Sequence, residues 1–277
     1  MSRYKLGLYE KSMPNTLSIE EKLNEAKASG FDYLELSIDE TDEKLNRLDW
    51  SDEEIQTINE AQHKTGIPIK SICLSGHRKY PLGSMSAETR KQSLEIMEKA
   101  ISLAAKLGVR IIQIAGYDVY YEEGNEQTKQ YFADNLKMSV EMAAEEGVIL
   151  AFETMETSFL DTVAKAMYWV EMIKSPYLQV YPDVGNITNA ALLYGGDPVA
   201  DLQTGQGHLA AVHLKETVPG VYREVPYGTG HVDFCAVVKE AQRQGVGMFV
   251  GEFWHTGEEN WREILRENNE FLRKVIQ

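Results

Sequence analysis

Apolar runs of six to eight residues alternate along this chain with longer stretches in which apolar positions recur every three or four residues. The runs are rich in Ile, Val, Leu and aromatic residues, which suits strands buried on both faces of a parallel sheet. They fall at 4–9, 33–38, 67–74, 109–115, 148–154, 178–183, 210–215 and 248–253. The stretches between and after them predict helices over 19–28, 52–64, 86–107, 125–145, 160–173, 199–203, 234–243 and 260–275. Five junctions share one device: a glycine closes the helical stretch and the apolar run starts directly after it, at Gly30, Gly66, Gly108, Gly147 and Gly245. A glycine there can take the left-handed conformation that ends a helix. Ser18 and Asp233 stand where helix N-caps are expected.

Strand and helix alternate with no Pro/Gly/Ser-rich linker, so 1–277 reads as one α/β domain. Right-handed crossovers would close its eight units into a (β/α)8 TIM barrel, a fold that takes about 250 residues. An open doubly wound sheet would carry a glycine-rich phosphate turn after its first strand. Here that strand runs into Tyr9, Glu10, Lys11, Ser12, Met13 and Pro14.

The balance of 28 basic against 43 acidic residues, a net charge of −15, argues against nucleic acid or an anionic membrane as partner. Cys73 and Cys235 are the only cysteines and read as buried structural thiols of a reducing compartment. With no apolar signal core and no run long enough to span a bilayer, a soluble cytoplasmic protein is expected.

In a TIM barrel, chemistry sits where the strands end. The fifth strand ends at Glu153, with Glu156 three residues on; the sixth ends at Asp183; the seventh carries His213; the eighth carries Glu252. An acid flanked by Val and Phe is costly to bury unpaired. Three carboxylates and an imidazole at one barrel mouth become compatible when a cation neutralises them. The donor set suits one divalent ion, Mn²⁺, Mg²⁺, Co²⁺ or Zn²⁺.

The order Glu, Asp, His, Glu on strands five to eight resembles the xylose-isomerase-like barrels, in particular their ketose 3-epimerase branch. The strings SICLSGHRKYPLGS (71–84), IAGYDVYYEE (114–123), AFETMET (151–157), PDVGN (182–186) and HLKET (213–217) resemble the L-ribulose-5-phosphate (L-xylulose-5-phosphate) 3-epimerases of L-ascorbate and pentose catabolism. The resemblance implies that Glu153, Asp183, His213 and Glu252 bind the metal and that Glu153 and Glu252 are also the catalytic acid/base pair. The activity implied is inversion of C3 of a pentulose 5-phosphate. The metal polarises the ketone and stabilises a cis-enediolate, while the two carboxylates exchange the proton on opposite faces. Which Glu serves which epimer stays open.

Glu156 is then expected to touch a substrate hydroxyl. Asn186 stands where epimerases of unphosphorylated ketoses often carry His, and is expected to donate to the substrate. Arg223 is expected to meet a substrate oxygen or the phosphate, and His77, Arg78 and Lys215 are further candidates for the anion, since the net charge repels it. A homodimer is expected by likeness to related barrels. The alternatives are an epimerase or aldose–ketose isomerase acting on an unphosphorylated ketose or a hexulose phosphate, and a non-catalytic sugar-phosphate binding protein. DNA-repair endonucleases of this barrel need more metal-binding histidines and a basic face.

Overall fold

The computed structural model describes residues 4–277, and the alternation of strand and helix holds throughout. Eight parallel strands form one sheet: β1 (Lys5–Tyr9), β2 (Tyr33–Ile38), β3 (Ile69–Leu74), β4 (Ile111–Ala115), β5 (Ile149–Glu153), β6 (Leu178–Tyr181), β7 (Val212–Leu214) and β8 (Met248–Gly251). Ten helices flank them: α1 (Ile19–Ala28), α2 (Asp42–Leu45), α3 (Asp52–Thr65), α4 (Ala87–Leu107), α5 (Glu126–Glu145), α6 (Val163–Ile173), α7 (Val184–Tyr194), α8 (Pro198–Thr204), α9 (Phe234–Arg243) and α10 (Trp261–Ile276). Caps set the helix ends as expected. Ser18 and Glu21 form a reciprocal capping box at α1, and Asp233 accepts from Ala236 N at α9. Gly66 and Gly108 end α3 and α4 in the left-handed conformation, with φ of 75° and 73°.

The strands are ordered β6-β5-β4-β3-β2-β1-β8-β7, so the barrel closes between β6 and β7. That seam is held by isolated parallel bridges, Val180 to Leu209 and Asp183 to His213, rather than by a full ladder. The reason is partly covalent: Pro182, at the end of β6, has no N–H, and its carbonyl accepts from His213 N at 3.0 Å. The seam therefore joins Asp183 directly to His213.

Two layers of core follow from the period of two along each strand. Outward-facing Leu, Ile and Val pack against the helices in one continuous cluster. Inward-facing Tyr33, Cys73, Ile111, Ala151, Tyr181, Ala211 and Val250 fill the barrel axis. Further along the same inward rows lie Glu35, Gln113, Glu153, His213 and Glu252, all buried. The apolar plug lies below and a polar layer above it, at the strand C-termini.

Two expectations differ from the structure. The sixth strand is followed by two helices, α7 and α8, where one, over 199–203, is expected; Asp183 itself caps α7 through Asn186 N. Cys235 is exposed rather than buried, because the inner face of α9 is made by Phe234, Val237, Val238 and Ala241. Among the described residues no helix is long and apolar enough to cross a membrane.

Candidate active site

Glu153, Asp183, His213 and Glu252 converge at the C-terminal end of the barrel, with one ligand-type atom from each lying within 4.8 Å of all the others. All four are buried. His213 Nδ1 is 3.1 Å from Glu252 Oε2 and 3.4 Å from Glu153 Oε1. Lys215 Nζ lies 3.1 Å from Asp183 Oδ2 and 3.7 Å from Glu252 Oε2. Three atoms of the cluster, Asp183 Oδ2, His213 Nδ1 and Glu252 Oε2, are buried and, the Lys215 ion pairs apart, make no hydrogen bond. Buried acceptors are rarely left so. Three of them aimed at one point are what a divalent cation requires, so the residues fit such an ion.

The electrostatics show a demand for positive charge at the cluster. Burial, reinforced by the charge of Glu252, raises the Glu153 carboxyl above its usual range. Burial also favours a neutral Glu252, but Lys215 and His213 outweigh it and hold that carboxyl well below the usual range. Asp183 is raised by burial and by its carboxylate neighbours against the pull of Lys215. Burial opposes charge on His213, yet Glu35 and Glu252 override it and raise its pKa. Environments that push paired carboxyls apart are typical of acid/base pairs.

A cavity of about 90 Å³ opens above the cluster, lined by Tyr9, Lys11, Ser75, Arg78, Glu156, Asn186, Lys215, Arg223 and Trp254, with Glu153 and Glu252 at its base. Larger crevices of about 850 Å³ against α5 and α6, and about 830 Å³ at the opposite end of the barrel, hold no such convergence. Of the residues singled out in the sequence, Glu156, Asn186, Arg78, Lys215 and Arg223 reach this cavity. Glu156 accepts from Arg223 Nη2 at 2.8 Å and from the Tyr120 hydroxyl at 3.2 Å. Asn186 donates one N–H to Thr154 O at 2.7 Å, and its Oδ1 is buried without a partner. Arg78 lies over the Tyr120 ring, 4.7 Å from its centroid, and 3.7 Å from Glu40.

His77 does not join them. Its ring is buried and its Nε2 meets Ser93 O of α4 at 3.1 Å, so it ties the loop after β3 to that helix. Burial lowers its pKa to about 4, and a neutral ring facing away from the cavity is no anion ligand.

The structure also adds residues. Lys11, from the loop after β1, faces the cavity while paired with Asp39 at 2.5 Å. Gln113 Nε2 donates to Glu153 Oε2 and orients it. Glu35, wholly buried on β2, accepts from His213 Nε2 at 2.6 Å. A signal for Glu35 exists in the sequence: an acid inside an otherwise apolar strand must have a buried partner. Nothing local says that the partner lies 178 residues away.

Comparison with known proteins agrees with this geometry. Residues 23–275 match the family model described as a xylose isomerase-like TIM barrel. The chain is 44% identical over 263 residues to L-ribulose-5-phosphate 3-epimerase UlaE of Shigella boydii, covering 94% of this chain and 91% of that one. It has the same identity and coverage with the enzyme of that name from Escherichia coli O157:H7. Among solved structures, D-psicose 3-epimerase of Clostridium cellulolyticum superposes with a TM-score of 0.83 at 15% identity, covering 99% of both chains. An L-ribulose 3-epimerase superposes at 0.76 with 18% identity, over 99% of this chain and 94% of that one; at such identities the likeness concerns the fold. A barrel shared over its whole length and a sequence nearly half identical to named epimerases place the chain in the xylose isomerase-like TIM-barrel family, beside the L-ribulose-5-phosphate 3-epimerases, as an enzyme of the isomerase class.

Proposed function

We propose that this protein is a metal-dependent 3-epimerase of pentulose 5-phosphates, with L-ribulose 5-phosphate and L-xylulose 5-phosphate as its epimeric pair. The observation that carries the reading is the convergence of Glu153, Asp183, His213 and Glu252 around three buried atoms that make no hydrogen bond, with Glu153 and Glu252 both reaching the cavity. The substrate is suggested by the names of the relatives 44% identical to this chain.

Glu153, Asp183, His213 and Glu252 would hold the ion, which as a Lewis acid makes the proton beside the substrate ketone removable. One of Glu153 and Glu252 takes the C3 proton, and the other delivers one to the opposite face, which inverts the carbon. Gln113 orients Glu153, and the Lys215 ammonium beside Glu252 favours its ionised form, so the two carboxyls stand in different environments. Lys215, beside Asp183 and Glu252, is placed to hold a substrate oxygen.

The phosphate falls to Arg78, Arg223 and Lys11. With Lys215 they bring four cations to a cavity that three carboxylates also line, in a chain whose net charge is −15. Such a concentration of cations at one cavity, each now paired with a carboxylate, gives a phosphate charged groups to exchange onto, which an unphosphorylated ketose does not need. A homodimer is supported by apolar side chains left exposed on α6 and α7: Tyr168, Met172, Leu192, Leu193 and Tyr194.

Incubation with L-ribulose 5-phosphate and Mn²⁺ in deuterated water should place deuterium at C3. Glu153→Gln and Glu252→Gln should each lower turnover by about 10²–10⁴-fold while the protein stays folded. Folded, Mn²⁺-supplied wild type without exchange would remove the proposal.

A further inference from the structure

Glu35 lies beneath the four-residue cluster, on the barrel axis and with no exposure. Its carboxylate accepts three hydrogen bonds from three other strands or strand ends. His213 Nε2 and Ser71 Oγ are each at 2.6 Å, and the Tyr181 hydroxyl is at 2.9 Å. Oε1 is given to the histidine alone, and Oε2 is shared by the two hydroxyls. Burying a carboxylate in the core of a barrel is costly. No packing requirement explains it here, since the neighbouring axial layer is built from Tyr, Cys, Ile, Ala and Val.

Two tyrosine rings flank the imidazole. The Tyr181 ring lies 4.8 Å away, centroid to centroid, at 60°, and the Tyr9 ring 6.3 Å away. Nδ1 points to Glu153 and Glu252 with no hydrogen-bond partner. A carboxylate can only accept, so the nitrogen that meets Glu35 carries a proton. A divalent ion competes with any proton on the other nitrogen, and with that proton displaced this nitrogen has a free lone pair.

We infer that Glu35 is a positioning residue for metal binding: it keeps a proton on His213 Nε2 and fixes the ring, so that the Nδ1 lone pair faces Glu153, Asp183 and Glu252. The inference rests on the metal reading above. Ser71 and Tyr181 in turn hold the carboxylate still, so a strut of β2, β3 and β6 residues supports the one ligand contributed by β7. Outer partners of this kind raise the basicity of a ligating imidazole and settle its orientation.

Two measurements test it. In zinc-loaded wild type, long-range ¹H–¹⁵N correlation of the His213 ring should show the proton on Nε2; a proton on Nδ1 would overturn the inference without any variant. Mn²⁺ affinity by titration calorimetry should fall about 10–100-fold in Glu35→Gln. Tyr181→Phe, nearly isosteric and removing one support only, should weaken binding about fivefold, and it decides the matter if Glu35→Gln does not fold. Wild type that binds no divalent ion removes the metal reading and this inference together. Tight wild-type binding, with folded variants within about twofold of it, removes this inference alone.

Discussion

His77 offers a sharp test, because sequence pattern and tertiary structure assign it different work. As an anion ligand it would be charged and face the cavity; in the structure its ring is buried and bound to Ser93 O at 3.1 Å. Burial lowers its pKa from 6.5 to about 4, with the Ser93 bond a smaller opposing effect. A depressed folded-state pKa means that the unfolded chain binds the proton first as pH falls. The stabilisation is therefore complete above pH 6.5 and is lost as the pH drops towards 4. Linkage puts the loss at about 2 kcal/mol at pH 5 and about 3 kcal/mol once both states are protonated. His77→Gln keeps a donor for Ser93 O but cannot titrate. Urea unfolding at pH 7.5 and pH 5 should show wild type losing about 2 kcal/mol more than the variant across that interval. The KM for the phosphorylated substrate at pH 7.5 should be nearly unchanged. Equal acid sensitivity in the two proteins would refute the buried neutral histidine, and a tenfold rise in KM would restore the anion contact.

Other changes probe the rest of the molecule. Arg223→Ala removes a cavity cation and frees Glu156; a lost charge-assisted hydrogen bond of about 1.5–3 kcal/mol should raise KM about 10–150-fold with a smaller change in kcat, read by steady-state kinetics. Glu10, wholly buried, is bonded to Lys22, Lys44 and Arg47, each at 2.6 Å. Glu10→Gln strands three cations and should cost about 3–5 kcal/mol, a fall in Tm on the order of 10 °C by calorimetry. Chelation should abolish activity and added Mn²⁺ restore it; full activity after verified removal of metal would contradict the Lewis-acid role.

Much of this protein was legible in its pattern. Buried strands are written as continuous apolar runs and amphipathic helices in a period of 3.6, and both depend on near neighbours. The glycine-marked junctions locate the beginnings of the fifth and eighth strands and so find Glu153 and Glu252 at their opposite ends, while Asp183 and His213 follow from the apolar runs of the sixth and seventh strands. α7 was less visible, since its exposed Leu192, Leu193 and Tyr194 blur the apolar stripe.

What the tertiary structure alone decided is who meets whom across the barrel. Glu35 finds His213 from β2 to β7, Gln113 finds Glu153 across the β4–β5 pair, and Lys11 from the first loop meets Glu153 and Glu252 of the fifth and eighth strands at one cavity. Likewise, the three-residue distance of His77 from Leu74 cannot say that its ring turns outward to α4. The physical reason is common to these cases. Local patterning specifies which face of an element is buried, whereas strand register, tilt and closure at Pro182 fix which buried side chains share a volume, and those are properties of the closed sheet as a whole.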